Sequence, residues 1–392
     1  MKVIRDPLHG HIKMDELALK LIDTPQMQRL RRIRQLGFAY LVYPGANHTR
    51  FEHSLGTYNL AGILLDQLGI ENEEIRVAAL LHDIGHGPYS HSTEEMIHKY
   101  TKKTHEDVFG LIKKGEIKEI LDEFSLSRDK IVKRIKGISD IEILHSEIDV
   151  DRMDYLIRDA YYTGVAFGLV DYLRLIHEMD FYSGKLVVKM GGIQAVESLL
   201  VSRFLMRPTV YYHHVSRIAE SMLIRALDYL IEEKRLKVSE LKRMDDYELN
   251  VFIKNSEGYA RETIDRINDR KLFKRALYIG QGYINTGDLN LKNVRRTEKE
   301  IAETVGIDDG YVLIDVPKSP KIEETKAKIL VNGDIKPLDE ISQIVKTLES
   351  AQWENWRIGV YTLKEHLSVV EKVAKEVLGV EKMHRQQTLE RF

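Results

Sequence analysis

The sequence predicts a mainly α-helical protein with a smaller C-terminal α+β lobe. Before residue 275, apolar residues recur at helical spacing in segments 17–22, 60–68, 75–81, 117–124, 196–205 and 218–231. After residue 275, β-branched and aromatic residues form short runs typical of strands, at 277–279, 311–316, 329–331 and 358–361. We therefore expect a helical domain at 1–275 and an α+β lobe at 276–392.

Two further elements follow from local patterns. Phe181-Tyr182 and segment 186–190 flank the turn pair Ser183-Gly184, which predicts a hairpin inside the helical part. Segment 363–378 carries an apolar stripe at helical spacing. We therefore predict that an amphipathic helix closes the lobe.

Composition excludes several classes of protein. The 392 residues carry a formal net charge of −2, which argues against a large nucleic-acid footprint. The absence of cysteine excludes disulfides and thiolate metal sites. No apolar run approaches the ~20 residues that a membrane span needs, and the N-terminus lacks the apolar core of a signal peptide. We therefore expect a cytoplasmic protein that does not act at a membrane.

Histidine and aspartate residues in three separate segments form a candidate metal site. His53 lies in a helix that follows a loop, and His82-Asp83 follows the apolar run 77–81. The third segment is acidic and begins with Asp149 and Asp151. Burying an unpaired carboxylate is costly, and two imidazoles with two carboxylates suit a divalent transition ion. The alternative is that His82 is an ordinary core histidine and Asp83 a helix-end cap.

The acidic segment predicts a helix with a polar stripe. Asp151, Tyr155 and Asp159 lie at positions i, i+4 and i+8, and Arg158 falls on the same face. A stripe that holds Tyr and Arg between acids suits the binding of phosphate and hydroxyl groups. The alternative interpretation is a solvated polar surface.

The order and spacing of several short blocks identify a family resemblance. The blocks are Asp6-Pro7-Leu8-His9-Gly10-His11, Asp23-Thr24-Pro25-Gln26-Met27-Gln28-Arg29-Leu30, Tyr43-Pro44-Gly45-Ala46, Arg50-Phe51-Glu52-His53-Ser54-Leu55-Gly56, His82-Asp83-Ile84-Gly85-His86-Gly87-Pro88 and helix 149–159. Together they resemble the HD-domain deoxynucleotide triphosphohydrolases, which include dGTPases. The resemblance is strong over residues 1–220 and thinner beyond them. It implies an HD-type helical body.

The resemblance also implies the metal ligands and the catalytic residues. The implied ligands are His53, His82, Asp83 and Asp151, with Asp149 as the alternative to Asp151. The implied ion is Mn, Fe, Ni or Zn, with Mg accompanying the substrate triphosphate. The histidines that match those facing the scissile phosphate are His86, His91 and His105. His91 matches the general acid/base, and Glu94 occupies the place where the family has Asp.

Substrate contacts are implied in the same way. The matches to phosphate contacts are Arg50, Arg152, Tyr155 and Arg203, and the matches to groups around the sugar are Gln35, Asp159 and Tyr211. A tyrosine packed on C2′ leaves little room for a 2′-hydroxyl, which favours deoxyribose. The residues that differ from the family pattern are Arg207, Thr209 and His214, which lie beside this set.

The implied reaction is metal-dependent hydrolysis of a dNTP to deoxynucleoside and inorganic triphosphate. The resemblance also implies a homo-oligomer, either a dimer or a tetramer, with an activating nucleotide at a regulatory site. The residues matching that site are Lys2, Val3, Asp23, Gln28 and Arg31. The alternative is that Arg29, Arg31, Arg32 and Arg34 form only a solvated helix face.

Two other functions compete with this one. Another HD phosphohydrolase, such as a nucleotide phosphatase or phosphodiesterase, would share the metal ligands but not the block from Asp6 to Gly45. A non-catalytic nucleotide sensor or nucleic-acid binder would use the fold without turnover. The complete ligand set and His91 argue against the sensor, which needs neither.

Overall fold

The computed structural model describes residues 2–138, 141, 143–280, 294–317 and 326–380, except for the side chains of 349 and 350. The helices up to residue 268 are α1 (Glu16–Ile22), α2 (Pro25–Leu30), α3 (Arg50–Leu68), α4 (Glu73–Leu81), α5 (His91–Thr101), α6 (Phe109–Ile112), α7 (Gly115–Glu123), α8 (Arg128–Ile135), α9 (Val150–Thr163), α10 (Tyr172–His177), α11 (Ile193–Met206), α12 (His214–Glu232), α13 (Val238–Leu241), α14 (Asp246–Lys254) and α15 (Tyr259–Asn268). The later helices are α16 (Val294–Val305), α17 (Leu338–Ile341), α18 (Gln343–Asn355) and α19 (Leu367–Val377). The strands are β1 (Lys2–Asp6), β2 (Gly10–Met14), β3 (Met179–Tyr182), β4 (Lys185–Lys189), β5 (Lys274–Gly280), β6 (Val312–Asp315), β7 (Lys328–Val331), β8 (Asp334–Pro337) and β9 (Arg357–Thr362).

The predicted mainly helical fold is confirmed. Each of the six helical segments predicted from periodicity overlaps a helix, and the predicted hairpin is formed by β3 and β4. The four predicted strand segments correspond to β5, β6, β7 and β9. The sequence did not reveal the N-terminal hairpin of β1 and β2, nor β8.

Helices α3, α4 and α9 pack around one apolar core and bring their ends together. The start of α3 is fixed by a capping box, in which Thr49 and Glu52 satisfy each other's N–H groups. Asn72 caps the start of α4, and Asp149 caps the start of α9 by accepting from Arg152 N–H. These caps determine which residues lie at the helix ends, where the site is built.

The C-terminal strands belong to two different sheets. Strand β9 lies between β5 and β6 in an antiparallel sheet, and the apolar side chains of α16 and α19 share its core. Strand β7 instead pairs in parallel with β4, so β7 and β8 extend the β3–β4 hairpin. The boundary at 275/276 stays a prediction, and parts of the predicted lobe at 281–293, 318–325 and 381–392 lie outside the described residues.

None of the described helices has the length and apolar character that crossing a membrane requires.

Candidate metal centre and substrate pocket

The four predicted metal ligands meet where α3, α4 and α9 converge. His53 Nε2 lies 2.9 Å from Asp151 Oδ1 and 3.9 Å from Asp83 Oδ2. His82 Nε2 lies 3.4 Å from Asp83 Oδ1 and 3.8 Å from Asp151 Oδ1. Two imidazoles and two carboxylates, from α3, from the residues that directly follow α4 and from α9, thus come together as possible ligands of a divalent ion.

His82 provides a test of whether this donor set suits a metal. Its Nδ1 is 2.8 Å from the carbonyl oxygen of Ala79, so that hydrogen bond fixes the ring and leaves Nε2 as the acceptor nitrogen. Nε2 is buried, faces Asp83 and Asp151, and makes no hydrogen bond to a described residue. A buried acceptor nitrogen that faces two carboxylates suits a cation bound between them, so these residues fit a metal ion.

Behind His53 lies a buried ionic network. His53 Nδ1 is 2.8 Å from Asp154 Oδ2, and His9 Nε2 is 2.6 Å from Asp154 Oδ1. Arg158 donates to both oxygens of Asp154 and, at 2.9 Å, to Asp6. Burial disfavours the charged ring, but Asp151 and Asp154 outweigh it and raise the pKa of His53 to about 10. The two carboxylates therefore stabilise positive charge at the His53 ring.

Asp149, the alternative ligand, has a different role in the structure. Its side chain caps α9 by accepting from Arg152 N–H at 2.8 Å and also pairs with the Arg152 guanidinium. Asp151, not Asp149, faces His53 and His82. The geometry therefore favours Asp151 as the fourth ligand.

Arg158 does not face the cavity, which corrects the predicted phosphate-binding stripe. Its side chain is fully buried between Asp154 and Asp6. The polar stripe of α9 is wide, and α3 covers the edge that carries Asp154 and Arg158. The edge of α9 that lines the cavity carries Asp151, Arg152, Tyr155 and Asp159.

A histidine cluster lies next to the ligand group. His86 and His105 stack with ring centroids 4.1 Å apart, and His86 Nε2 is 3.2 Å from Asp83 Oδ1. His91 Nδ1 is 3.0 Å from Glu94 Oε2, and the other oxygen of Glu94 contacts His105 Nδ1. Glu94 therefore orients two of the three predicted histidines, although the family has Asp at this position.

Burial and neighbouring charges shift the pKa values of these three histidines in different directions. Burial, together with Arg50, holds the pKa of His86 well below its ordinary value. Although 68% of the His91 side chain is exposed, desolvation by the surrounding protein lowers its pKa, against the opposing hydrogen bond with Glu94. For His105 the hydrogen bond with Glu94 outweighs burial and raises the pKa. The three rings therefore differ in pKa, and groups with separated pKa values are typical of acid–base catalytic sites.

Arg50 connects the two groups. Its Nη1 donates to Asp83 Oδ2 at 2.9 Å, its Nε donates to Ser90 Oγ at 3.0 Å, and its Nη2 is 3.2 Å from His91 Nε2. The guanidinium therefore lies between the ligand Asp83 and the ring of His91. That position would place positive charge against a bound phosphate.

A large cavity of about 1370 Å³ extends from this centre. It is lined by all the predicted phosphate contacts, which are Arg50, Arg152, Tyr155 and Arg203. Arg207, one helical turn after Arg203, also lines it and bonds Gln352 of α18. These four arginines form a cationic wall of the cavity next to the ligand group.

The predicted sugar-binding residues lie together in the same cavity. Tyr211 donates to Asp159 Oδ2 at 2.9 Å, and Gln35 Oε1 is buried without a hydrogen bond to a described residue. His48, which the sequence reasoning missed, lies 2.8 Å from Asp159 Oδ1 through its Nε2. It precedes the block that begins at Arg50 by two residues, which was the only sequence signal available.

The predicted regulatory residues lie at the surface near the N-terminus. Arg31 Nε donates to Gln28 Oε1 at 3.0 Å, and the Arg31 guanidinium lies 3.6 Å from the Phe51 ring centre. Lys2, Val3 and Asp23 are exposed. A shared nucleotide site for these residues stays a prediction.

The alternative of a solvated arginine face describes only part of this group, because Arg31 and Arg32 are exposed, whereas Arg29 and Arg34 are half-buried. The guanidinium of Arg29 donates to the carbonyl oxygen of His86. Arg32 pairs with Asp245, and Arg34 N–H donates to Asp246 at 3.0 Å. These arginines connect segment 29–34 to the backbone at His86 and to the start of α14.

Two family models match the chain: the HD domain over residues 50–159 and the HD-associated region over residues 170–389. An uncharacterized protein of Methanocaldococcus jannaschii is 41% identical, covering 94% of this chain and 80% of that protein. The human deoxynucleoside triphosphate triphosphohydrolase SAMHD1 is 30% identical, covering 88% of this chain and 66% of that protein.

A solved structure is similar over nearly the whole chain. It is a phosphohydrolase from Bacteroides thetaiotaomicron, with a TM-score of 0.75 and 25% identity. The match covers 93% of this chain and 100% of that structure. The two matched regions and this similarity extend well beyond the metal ligands.

Proposed function

Since this chain belongs to the HD-domain phosphohydrolases that carry an HD-associated region, we propose that it hydrolyses dNTPs to deoxynucleoside and inorganic triphosphate. The observation that carries the proposal is one continuous cavity. It joins the metal-ligand group, the cationic wall and the Asp159–Tyr211 pair. The similarity to SAMHD1, whose name states this activity, supports it.

The donor set His53, His82, Asp83 and Asp151 would hold a divalent transition ion. When bound, such an ion polarises the α-phosphoryl group and activates water. The predicted choice of Mn, Fe, Ni or Zn suits imidazole and carboxylate ligands, and Mg would accompany the triphosphate.

The chain's own residues supply the remaining chemistry. Arg50, Arg152 and Arg203 offset the charge of the triphosphate. The oxygen of water bonds to the α-phosphorus, and the bond from that phosphorus to the 5′ oxygen breaks. The proton that the water releases replaces the one that His91 gives up in this step. His91, oriented by Glu94, gives a proton to the departing 5′ oxygen.

The sugar would lie against the other wall of the cavity. Asp159 and Gln35 would hold the sugar hydroxyl, and Tyr211 would pack on C2′. Because Tyr211 is tied to Asp159, it cannot easily turn away to admit a 2′-hydroxyl. This arrangement favours deoxyribose over ribose.

Activation and assembly belong to the same proposal. A nucleotide would bind at Lys2, Val3, Asp23, Gln28 and Arg31, and the active form would be a dimer or tetramer. The exposure of Lys2, Val3 and Asp23 and the pairing of Gln28 with Arg31 support an accessible site.

A product assay tests the proposal. Each dNTP, singly and in a mixture, is incubated with the chain and Mn²⁺ or Mg²⁺, with Asp83→Ala as the negative control. Deoxynucleoside plus intact triphosphate, lost in the variant, is the expected result. Turnover only in the mixture would support activation, whereas monophosphate with pyrophosphate would indicate the alternative HD phosphohydrolases. The absence of turnover under all conditions would favour the sensor.

A further inference from the structure

Two consecutive residues directly before His91 adopt left-handed backbone conformations. Tyr89 has a φ of 54°, and Ser90 has a φ of 49° with a ψ of −116°. Neither residue is glycine, and such conformations persist only where surrounding contacts fix them. The contacts that fix this turn therefore determine where α5 begins and where the ring of His91 points.

Asp246, in the first turn of α14, holds this turn from outside the cavity. Its Oδ1 accepts a hydrogen bond from Tyr89 N–H at 2.6 Å, and its Oδ2 accepts one from Arg34 N–H at 3.0 Å. Its own N–H donates to Arg32 O at 3.1 Å, and the residue is only 2% exposed. One buried carboxylate thus joins three segments that are far apart in the sequence.

Arg34 continues this connection to the second strained residue. Its carbonyl oxygen accepts from Ser90 Oγ at 2.9 Å, and Ser90 Oγ in turn accepts from Arg50 Nε at 3.0 Å. The Tyr89 ring stacks on Phe38 at 4.5 Å. Asp246 therefore restrains Tyr89 directly and Ser90 through Arg34.

We propose that Asp246 is a positioning residue for His91. It holds the Tyr89–Ser90 turn in its strained form and so places the His91 ring beside Arg50 and Glu94. Asp246 does not line the cavity, so its effect on the reaction must pass through this turn. Without the carboxylate, one of two buried N–H groups lacks an acceptor, and the turn relaxes.

The inference rests on the proposed function in one respect, which is the proton transfer assigned to His91. The test compares Asp246→Asn with Asp245→Asn, a matched change at the neighbouring position. Asp245 pairs with Arg32 and caps α14 but does not contact Tyr89 or Arg34 N–H. Both changes keep side-chain volume and both alter the start of α14.

We expect Asp246→Asn to lower kcat for the best dNTP by about tenfold or more and to change KM by less than about twofold. Asp245→Asn should leave both constants within about twofold of the wild type. An equal loss of kcat in both variants would mean that α14 is merely structural, and would overturn the proposal.

A double-mutant cycle with His91→Ala tests whether Asp246 affects kcat through His91 or independently of it. If Asp246 acts through His91, then adding Asp246→Asn to His91→Ala should lower kcat by less than about twofold further. Losses that multiply would show an independent role and would also overturn the proposal.

A crystal structure of the Asp246→Asn variant tests the positioning of His91 without an activity measurement. The expected result is a negative φ at Tyr89 or Ser90 and a His91 ring displaced from Glu94. An unchanged turn and an unmoved ring would contradict the proposal. If the wild type itself hydrolyses no dNTP, the proposed function fails, and this structure still tests the positioning.

Discussion

His48 Nε2 lies 2.8 Å from Asp159 Oδ1, and both side chains are buried, although only Asp159 lines the cavity. Tyr211 binds the other oxygen of the same carboxylate. His48 also stacks on Tyr162 with ring centroids 4.6 Å apart. Asp159 is therefore held in one orientation from two sides, and His48 is the partner that makes no contact with the proposed sugar position.

We predict that His48→Ala weakens recognition of the sugar hydroxyl. A hydrogen bond to a charged group contributes about 1.5–3 kcal/mol, so kcat/KM for a dNTP should fall roughly tenfold or more. The same variant should lose less than about twofold on the 2′,3′-dideoxy analogue, which lacks that hydroxyl. His177→Ala, at an exposed histidine, is the control. Equal losses on both substrates would contradict the assignment.

Asp154→Asn should weaken metal binding although Asp154 is not itself a ligand. The change preserves shape but removes the charge that orients His53 through Nδ1. Losing such a partner lowers metal affinity about 10–100-fold. Calorimetric titration of the full chain with Mn²⁺ measures this. Asp66→Asn, at an exposed position of the same helix α3, should bind like the wild type.

The two glycines of α3 should respond in opposite directions to alanine. A Cβ at Gly56 would overlap the carboxylate of Asp154, whereas a Cβ at Gly62 would meet Arg76 at an ordinary 3.5 Å. We expect Gly56→Ala to lower the free energy of unfolding by about 1–3 kcal/mol. Gly62→Ala should raise it by about 0.4–1 kcal/mol. Urea unfolding compares them, and equal stability of the two variants would refute the close approach.

Glu220 should make the protein less stable as the pH rises. Burial, with Asp315 and Glu95 adding to it and Arg217 opposing it, raises the pKa of Glu220 from 4.5 to about 7. Between these values the unfolded chain has lost the proton and the folded chain retains it, so this group's contribution falls with increasing pH.

Glu220→Gln removes that titration. Its stability relative to the wild type should therefore be greater at pH 8 than at pH 5, by on the order of 2 kcal/mol. Urea unfolding at the two pH values measures the difference, and Glu232→Gln, at an exposed position of the same helix, is the control. An equal advantage at both pH values would argue against a buried, protonated Glu220.

The sequence predicted the candidate site best where its functional residues lie at or near helix ends. His53, His82 and Asp151 belong to blocks with strong caps and apolar runs, and the structure brings them together. Arg158 was wrongly placed because a helical wheel gives the face of a residue but not the element that covers it. Its partner Asp6 is 152 positions away.

Other features depend on contacts that local patterns do not contain. His48 lies in a loop, and its partner Asp159 is 111 positions away. The strand pair β1–β2 surrounds a Pro-containing turn and lacks a clean alternation, so it gave no strand signal. In the sequence, Asp246 is one of several polar residues at a helix start. Its role as an acceptor depends on the N–H groups of Arg34 and Tyr89, which are far away in the sequence.

The parallel pairing of β4 with β7 has a consequence for synthesis on the ribosome. Val188 pairs with Ile329, so the β3–β4 hairpin is translated long before the strand that covers its edge. Until then the nascent chain presents an open strand edge, which is a site for misassociation. Completion of this sheet is therefore a late event, and chaperone dependence should fall once residue 337 has left the exit tunnel.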